Sequence, residues 1–72
     1  MLFSEWVKGQ PGTRLDVARR LGISRDALHK IMRGQVFPRG STRQAIARET
    51  GGVVTADSLL AAFNSYHAPQ GS

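Results

Sequence analysis

The chain has 72 residues, with ten Lys and Arg against five Asp and Glu, a formal net charge of +5 and no cysteine. A chain this short supports one domain with one small core, burying only about 60% of the surface it exposes when unfolded, and without cysteine neither a disulfide nor a thiolate-bound zinc reinforces that core. No apolar run reaches the roughly 18 to 20 residues of a membrane span, and the opening MLFSEWVKG lacks the basic start and small-residue cleavage site of a secretory signal, so the expectation is a soluble, cytoplasmic protein.

The first predicted helix runs from Leu2 to Lys8, where Leu2, Phe3, Trp6 and Val7 fall on one stripe and Gly9 with Pro11-Gly12 ends it. Trp6, an aromatic at helical spacing on that stripe, is assigned to the core. Thr13 has the character of an N-cap, with Asp16 three residues on in place of the usual Glu. A second helix is therefore expected over Arg14 to Leu21, with Leu15, Val17, Ala18 and Leu21 buried and Asp16, Arg19 and Arg20 opposite. Gly22 supplies the left-handed backbone that ends a helix, Ile23 turns back into the core, and Ser24 caps the third helix.

In that third helix, through Arg33, a step of about 100° per residue puts Ala27, Leu28, Ile31 and Met32 on one side. Arg25, Asp26, His29, Lys30 and Arg33 fill an arc of about 140° on the other, a wet and mostly cationic face. Gly34 closes this helix, and in the loop QVFPRG either Val36 or Phe37 folds back on the core while Pro38 stiffens the chain. Ser41 and Gln44 read as a capping-box pair for a fourth helix through about Thr50, closed by Gly51-Gly52 and supported by only Ala45 and Ile46 in its periodicity. Thr55 caps a fifth helix in which Ala56, Leu59, Leu60, Phe63 and Tyr66 recur on one stripe. Residues 67–72, HAPQGS, read as a flexible C-terminal tail after a domain of residues 1–66. The fold class predicted is all-α, a compact bundle of five short helices.

The charge is concentrated. Residues 14–43 carry eight bases and two acids, a net of +6, while the rest of the chain nets −1. Eight of the ten bases are arginine, whose planar fork grips phosphates and guanine edges bidentately where lysine acts as a point charge. A localised, arginine-rich cationic region on so small a domain points to an anionic partner such as nucleic acid.

Residues 14–33 resemble the twenty-position helix-turn-helix of the lambda repressor and Cro superfamily: Val17, Ala18 and Leu21 as packing positions, Gly22 in the turn, Ile23 after it, then Leu28 and Ile31. The later STRQAIARETGGVVTADSLL looks like the region after the motif in small Cro-like and antitoxin-like regulators, so that the resemblance covers about residues 3–63. Arg14 stands where the family often has Gln, and Asp26 lies on the face turned toward a polyanion.

The resemblance implies a DNA-binding transcriptional regulator of phage or bacterial type, with the second and third helices as the helix-turn-helix and repression commoner than activation. In that geometry the third helix enters the major groove with its first residues against base edges while the second lies across the backbone. Arg25 is then the leading candidate for bidentate contact with guanine, with a phosphate clamp as its alternative role. His29 would donate to a base or phosphate, and Lys30 and Arg33 would reach bases or phosphates. Asp26 would accept from cytosine N4, or else stabilise the helix dipole and pair with Lys30. Thr13, Arg14, Ser24, Arg39 and Arg43 are candidates for phosphate contact. The expected assembly is a homodimer on double-stranded DNA, with Leu60, Phe63 and Tyr66 as a candidate dimer surface.

Catalysis finds no support: there is no His pair at ligand spacing, no Cys, no Walker-type glycine loop and no Ser, His and acid set that this fold would gather. The expectation is therefore a non-enzyme with no metal, no cofactor and no small-molecule substrate. A rival of a different class is a protein-interaction module, an antitoxin or adaptor that binds another protein and keeps the helix-turn-helix as a scaffold.

Overall fold

A computed structural model describes residues 1–68, which form five helices: α1 (Phe3–Lys8), α2 (Arg14–Leu21), α3 (Arg25–Arg33), α4 (Gly40–Thr50) and α5 (Ala56–His67). The described residues contain no strand, and the protein is all-α. No helix among them is long and apolar enough to cross a membrane.

Local chemistry sets most of the boundaries. At the start of α2 the Asp16 N–H donates to the Thr13 hydroxyl at 3.2 Å and the Thr13 N–H donates to the Asp16 carboxylate at 3.0 Å, a reciprocal capping box with Asp in the acidic position. Gly22 ends α2 with φ 74, and the Ile23 N–H reaches back to the Ala18 carbonyl at 3.0 Å. Ser24 then caps α3, its hydroxyl accepting the Ala27 N–H at 3.1 Å, and Thr55 caps α5 in the same way through Ser58 at 3.2 Å.

α3 sits at the centre of the packing, against α2 on one side and α1 and α5 on the other, while α4 closes on α2. Leu28, Ile46, Val7, Val17 and Val54 are fully buried, one from each of the first four helices and one from the turn before α5. Phe3, Ala18, Leu21, Ile31, Ala45 and Leu59 complete the core, with Trp6, Ile23, Met32 and Phe37 packed partly against it. Each fully buried aliphatic side chain contributes about 1.5 to 3 kcal/mol relative to exposure.

Several elements depart from the sequence reading. Leu15 is 41% exposed; it lies roughly 110° around α2 from the centre of the arc formed by Val17, Ala18 and Leu21. Of Val36 and Phe37, Phe37 is the residue that turns inward. α4 begins two residues earlier than a Ser41 cap would allow: Arg39 is the N-cap, with no side-chain capping bond, and Ser41 lies in the first turn. The cause is Arg43, whose N–H closes the first turn on the Arg39 carbonyl at 2.9 Å while its guanidinium donates to the Pro38 carbonyl at 2.8 Å. Of the candidate dimer surface on α5, Phe63 is half-buried beside the buried Leu59, whereas Leu60 and Tyr66 are exposed as that role requires. His67, read from sequence as the start of the tail, is the last residue of α5, with Ala68 as its C-cap; the remainder of that tail, residues 69–72, lies outside the described residues.

Candidate nucleic-acid interface

The surface of interest is the outer side of α3. Its inner side is fixed by Leu28 and Ile31, and its ends are fixed by Ser24 and by Gly34, the latter in left-handed backbone with φ 81. Because the helix is clamped at both ends and buried along one side, the remaining positions are forced outward: Arg25, Asp26 and Arg33 are exposed, and His29 and Lys30 are half-buried.

These side chains differ in what they already touch. Lys30 Nζ lies 3.1 Å from the Asp26 carboxylate, an i,i+4 pair in which the Asp26 side chain is 74% exposed. Such a pair is worth only a few tenths of a kcal/mol, so Lys30 is restrained by it without being lost to another anion. Arg33 donates through Nη2 to the Gln35 side-chain oxygen at 3.3 Å. Arg25 has no hydrogen-bond or ion-pair partner among the described residues.

The expected phosphate contacts divide into two groups. Ser24 and Arg39, together with Asp26, Lys30, Ser41 and Thr42, line one open cleft of about 520 Å³ between α3 and the start of α4. Arg39 is exposed on its rim, and the first N–H groups of α4 lack a side-chain cap. Thr13, Arg14 and Arg43 are not part of this cleft. Thr13 is engaged in its capping box. Arg14 is half-buried and donates through Nη1 to the Val7 carbonyl at 3.4 Å, where its charge meets the negative end of α1. Arg43 is bound to Pro38 and stands 4.9 Å over the Phe37 ring, so it holds the loop between α3 and α4 against α4.

Beside the last turn of α3, a groove of about 350 Å³ runs between α1, α3 and α5, lined by Leu2, Phe3, Met32, Arg33 and Tyr66 among others. Leu60, Phe63 and Tyr66 share one arc of α5 about 120° wide. Phe63 turns in against Phe37, with ring centroids 6.0 Å apart, and Leu60 and Tyr66 stand on either side of it, about 120° from each other.

Two residues that the sequence reading passed over take part in this region. Gln35 sits in the loop after α3, where helical periodicity says nothing about orientation, and its carbonyl oxygen lies 2.9 Å from His67 Nε2. His67 was unreadable because it is followed by Ala-Pro and resembles a fraying end. A third contact was also hidden: Arg20 lies 5.9 Å over the Trp6 ring and donates to Gln10 at 3.2 Å, tying α2 to α1. Among the described residues, no group of three His, Cys, Asp or Glu side chains is placed to hold a metal. Compared with known proteins, the chain matches no family model, no curated protein and no solved structure.

Proposed function

We propose that this chain is a sequence-specific, double-stranded-DNA-binding regulator of transcription, acting in the bacterial cytoplasm or nucleoid, most simply as a repressor that occludes its operator. The observation that carries the reading is α3 itself: a nine-residue helix capped by Ser24, closed by Gly34 and buried through Leu28 and Ile31, with Arg25, His29, Lys30 and Arg33 on its free side. The major groove is about 12 Å wide, enough for one α-helix, and arginine forks match the O6 and N7 acceptors of guanine.

In this reading Arg25, in the first turn and without a competing partner, meets a base edge. Lys30 and Asp26 act as a pair, the lysine reaching a base or phosphate while the carboxylate limits how far it swings. The cleft beside them receives the sugar-phosphate chain, with Arg39, Ser24 and the uncapped start of α4 as donors. Arg14 and Arg43, tied to carbonyls, contribute chiefly charge. One module of this size covers roughly 600 to 1,000 Å² of DNA, so tight specific binding calls for two copies on half-sites about 34 Å apart. Leu60 and Tyr66 are the exposed apolar residues of α5 available to such a pairing.

The test is selection of binding sites from random duplex DNA at two salt concentrations. The expected outcome is one motif with two-fold symmetry, bound with a log–log salt slope of about −0.9 per phosphate neutralised. Absence of a selected motif, or retention of a protein partner with no response to salt, would replace this reading with that of a protein-interaction module.

A further inference from the structure

Gln35 is held from both sides of its backbone. Its N–H donates to the Lys30 carbonyl at 2.9 Å, closing the end of α3. Its carbonyl oxygen lies 2.9 Å from His67 Nε2, and since a carbonyl only accepts, the bond places a ring proton on that nitrogen. The His67 ring is itself seated, with its centroid 4.3 Å from that of Phe63 and 5.0 Å from that of Tyr66. The preceding residue is just as confined, because a Cβ on Gly34 would overlap the Ala62 carbonyl oxygen and come within 2.8 Å of its carbon. A side chain that leaves from so fixed a backbone has a fixed origin, and among the described residues its hydrogen bond is to Arg33, whose Nη2 donates to Oε1 at 3.3 Å.

The consequence lies in the geometry of the guanidinium. It carries five N–H donors in one plane, so engaging Nη2 on Gln35 restrains how that plane turns and leaves the other donors without a partner among the described residues. Arg33 is exposed and has no carboxylate partner among the described residues, so Gln35 is what orients it. A long side chain oriented before binding loses less freedom when it binds.

We propose that Gln35 is a positioning residue for base readout: anchored by Lys30 and His67, it orients the Arg33 guanidinium so that its free donor pair meets a guanine edge. This inference rests on the DNA-binding reading above. It assigns to a loop residue outside α3 a role in sequence preference that its lack of charge conceals.

The experiment compares binding of the selected duplex with each of its single base-pair variants, for the wild type, Arg33→Ala, Gln35→Ala, Gln35→Glu and the Arg33→Ala/Gln35→Ala double variant, alongside the thermal midpoint of each. Arg33→Ala flattens a guanine preference at one position per half-site. Gln35→Ala weakens preference at that same position about three- to tenfold, leaves the other positions and the thermal midpoint unchanged, and adds nothing in the Arg33→Ala background. Gln35→Glu keeps an acceptor oxygen at the same reach and retains the preference. If the Gln35→Ala profile matches the wild type, falls equally at every position, or falls by the same amount when Arg33 is already absent, the inference is overturned while the DNA-binding reading stands. If the wild type selects no sequence, both are overturned.

Discussion

The Asp16 carboxylate shows how much a single surface residue can be fixed by its neighbours. The Thr13 N–H donates to it at 3.0 Å, and this bond, followed by the Thr13 hydroxyl, holds its carboxyl below the ordinary value of 3.8; Arg19 and Arg20 push the same way more weakly, and desolvation opposes them. A carboxyl lowered in the folded state contributes stability in full above 3.8 and loses it as pH falls through the lowered value. Acid titration followed by thermal melting should therefore show the wild type losing stability below about pH 4, while Asp16→Asn, which keeps an acceptor oxygen but cannot titrate, loses less over the same interval. Parallel losses in the two proteins would mean that the capping box is open in solution. The same kind of local accounting separates the arginines: Arg25 and Arg39 are exposed, whereas Arg14 and Arg43 are half-buried on the carbonyls of Val7 and Pro38. Residue type alone ranks all four equally.

Two glycines mark the ends of the helices that frame the interface, and they predict different costs. Gly22 has φ 74 with nothing within 4 Å of an added Cβ, so Gly22→Ala should lose only the cost of left-handed backbone, about 1 to 2 kcal/mol. Gly34 has φ 81 and also abuts the Ala62 backbone, so Gly34→Ala should lose distinctly more, because α5 must shift to admit a methyl group. Denaturant titration of the two variants checks the order, and equal losses would remove the close approach of α3 and α5 from the description. This contrast also marks what could be read in the sequence. α2 and the start of α3 are set by residues next to one another in the chain, Thr13 with Asp16, then Gly22 and Ser24, so their boundaries were legible from caps alone. The start of α4 depends instead on Arg43 folding back on Pro38, and the inner face of α5 depends on where Phe37 and Gly34 arrive from other elements. Ser41 as a cap therefore misled, and the stripe of α5 alone could not say that Phe63 turns inward while Leu60 and Tyr66 stay exposed. Of the interface, the outward set on α3 was legible as a 3.6-residue pattern; the withdrawal of Arg14 and Arg43, and the presence of Gln35 and His67, required the tertiary contacts.

At the scale of the whole molecule, the net of +6 on residues 14–43 against −1 elsewhere makes the protein a lopsided cation, and binding to DNA should be visible as stability. Free duplex at a hundredfold excess over Kd adds about 2.7 kcal/mol, roughly 10 to 20 °C in thermal midpoint for a domain of this size. That increment should shrink as salt rises and be smaller for a duplex lacking the selected motif; a midpoint that ignores the duplex at low salt would count against the assigned partner. The core that bears this load is small, and α3 lies at its centre in contact with α1, α2 and α5. Where Gly34 meets Ala62 there is no side chain in between, only main chain on main chain. No side-chain layer separates the two helices at that crossing, so any displacement of α5 near Ala62 must be met by the end of α3 at Gly34.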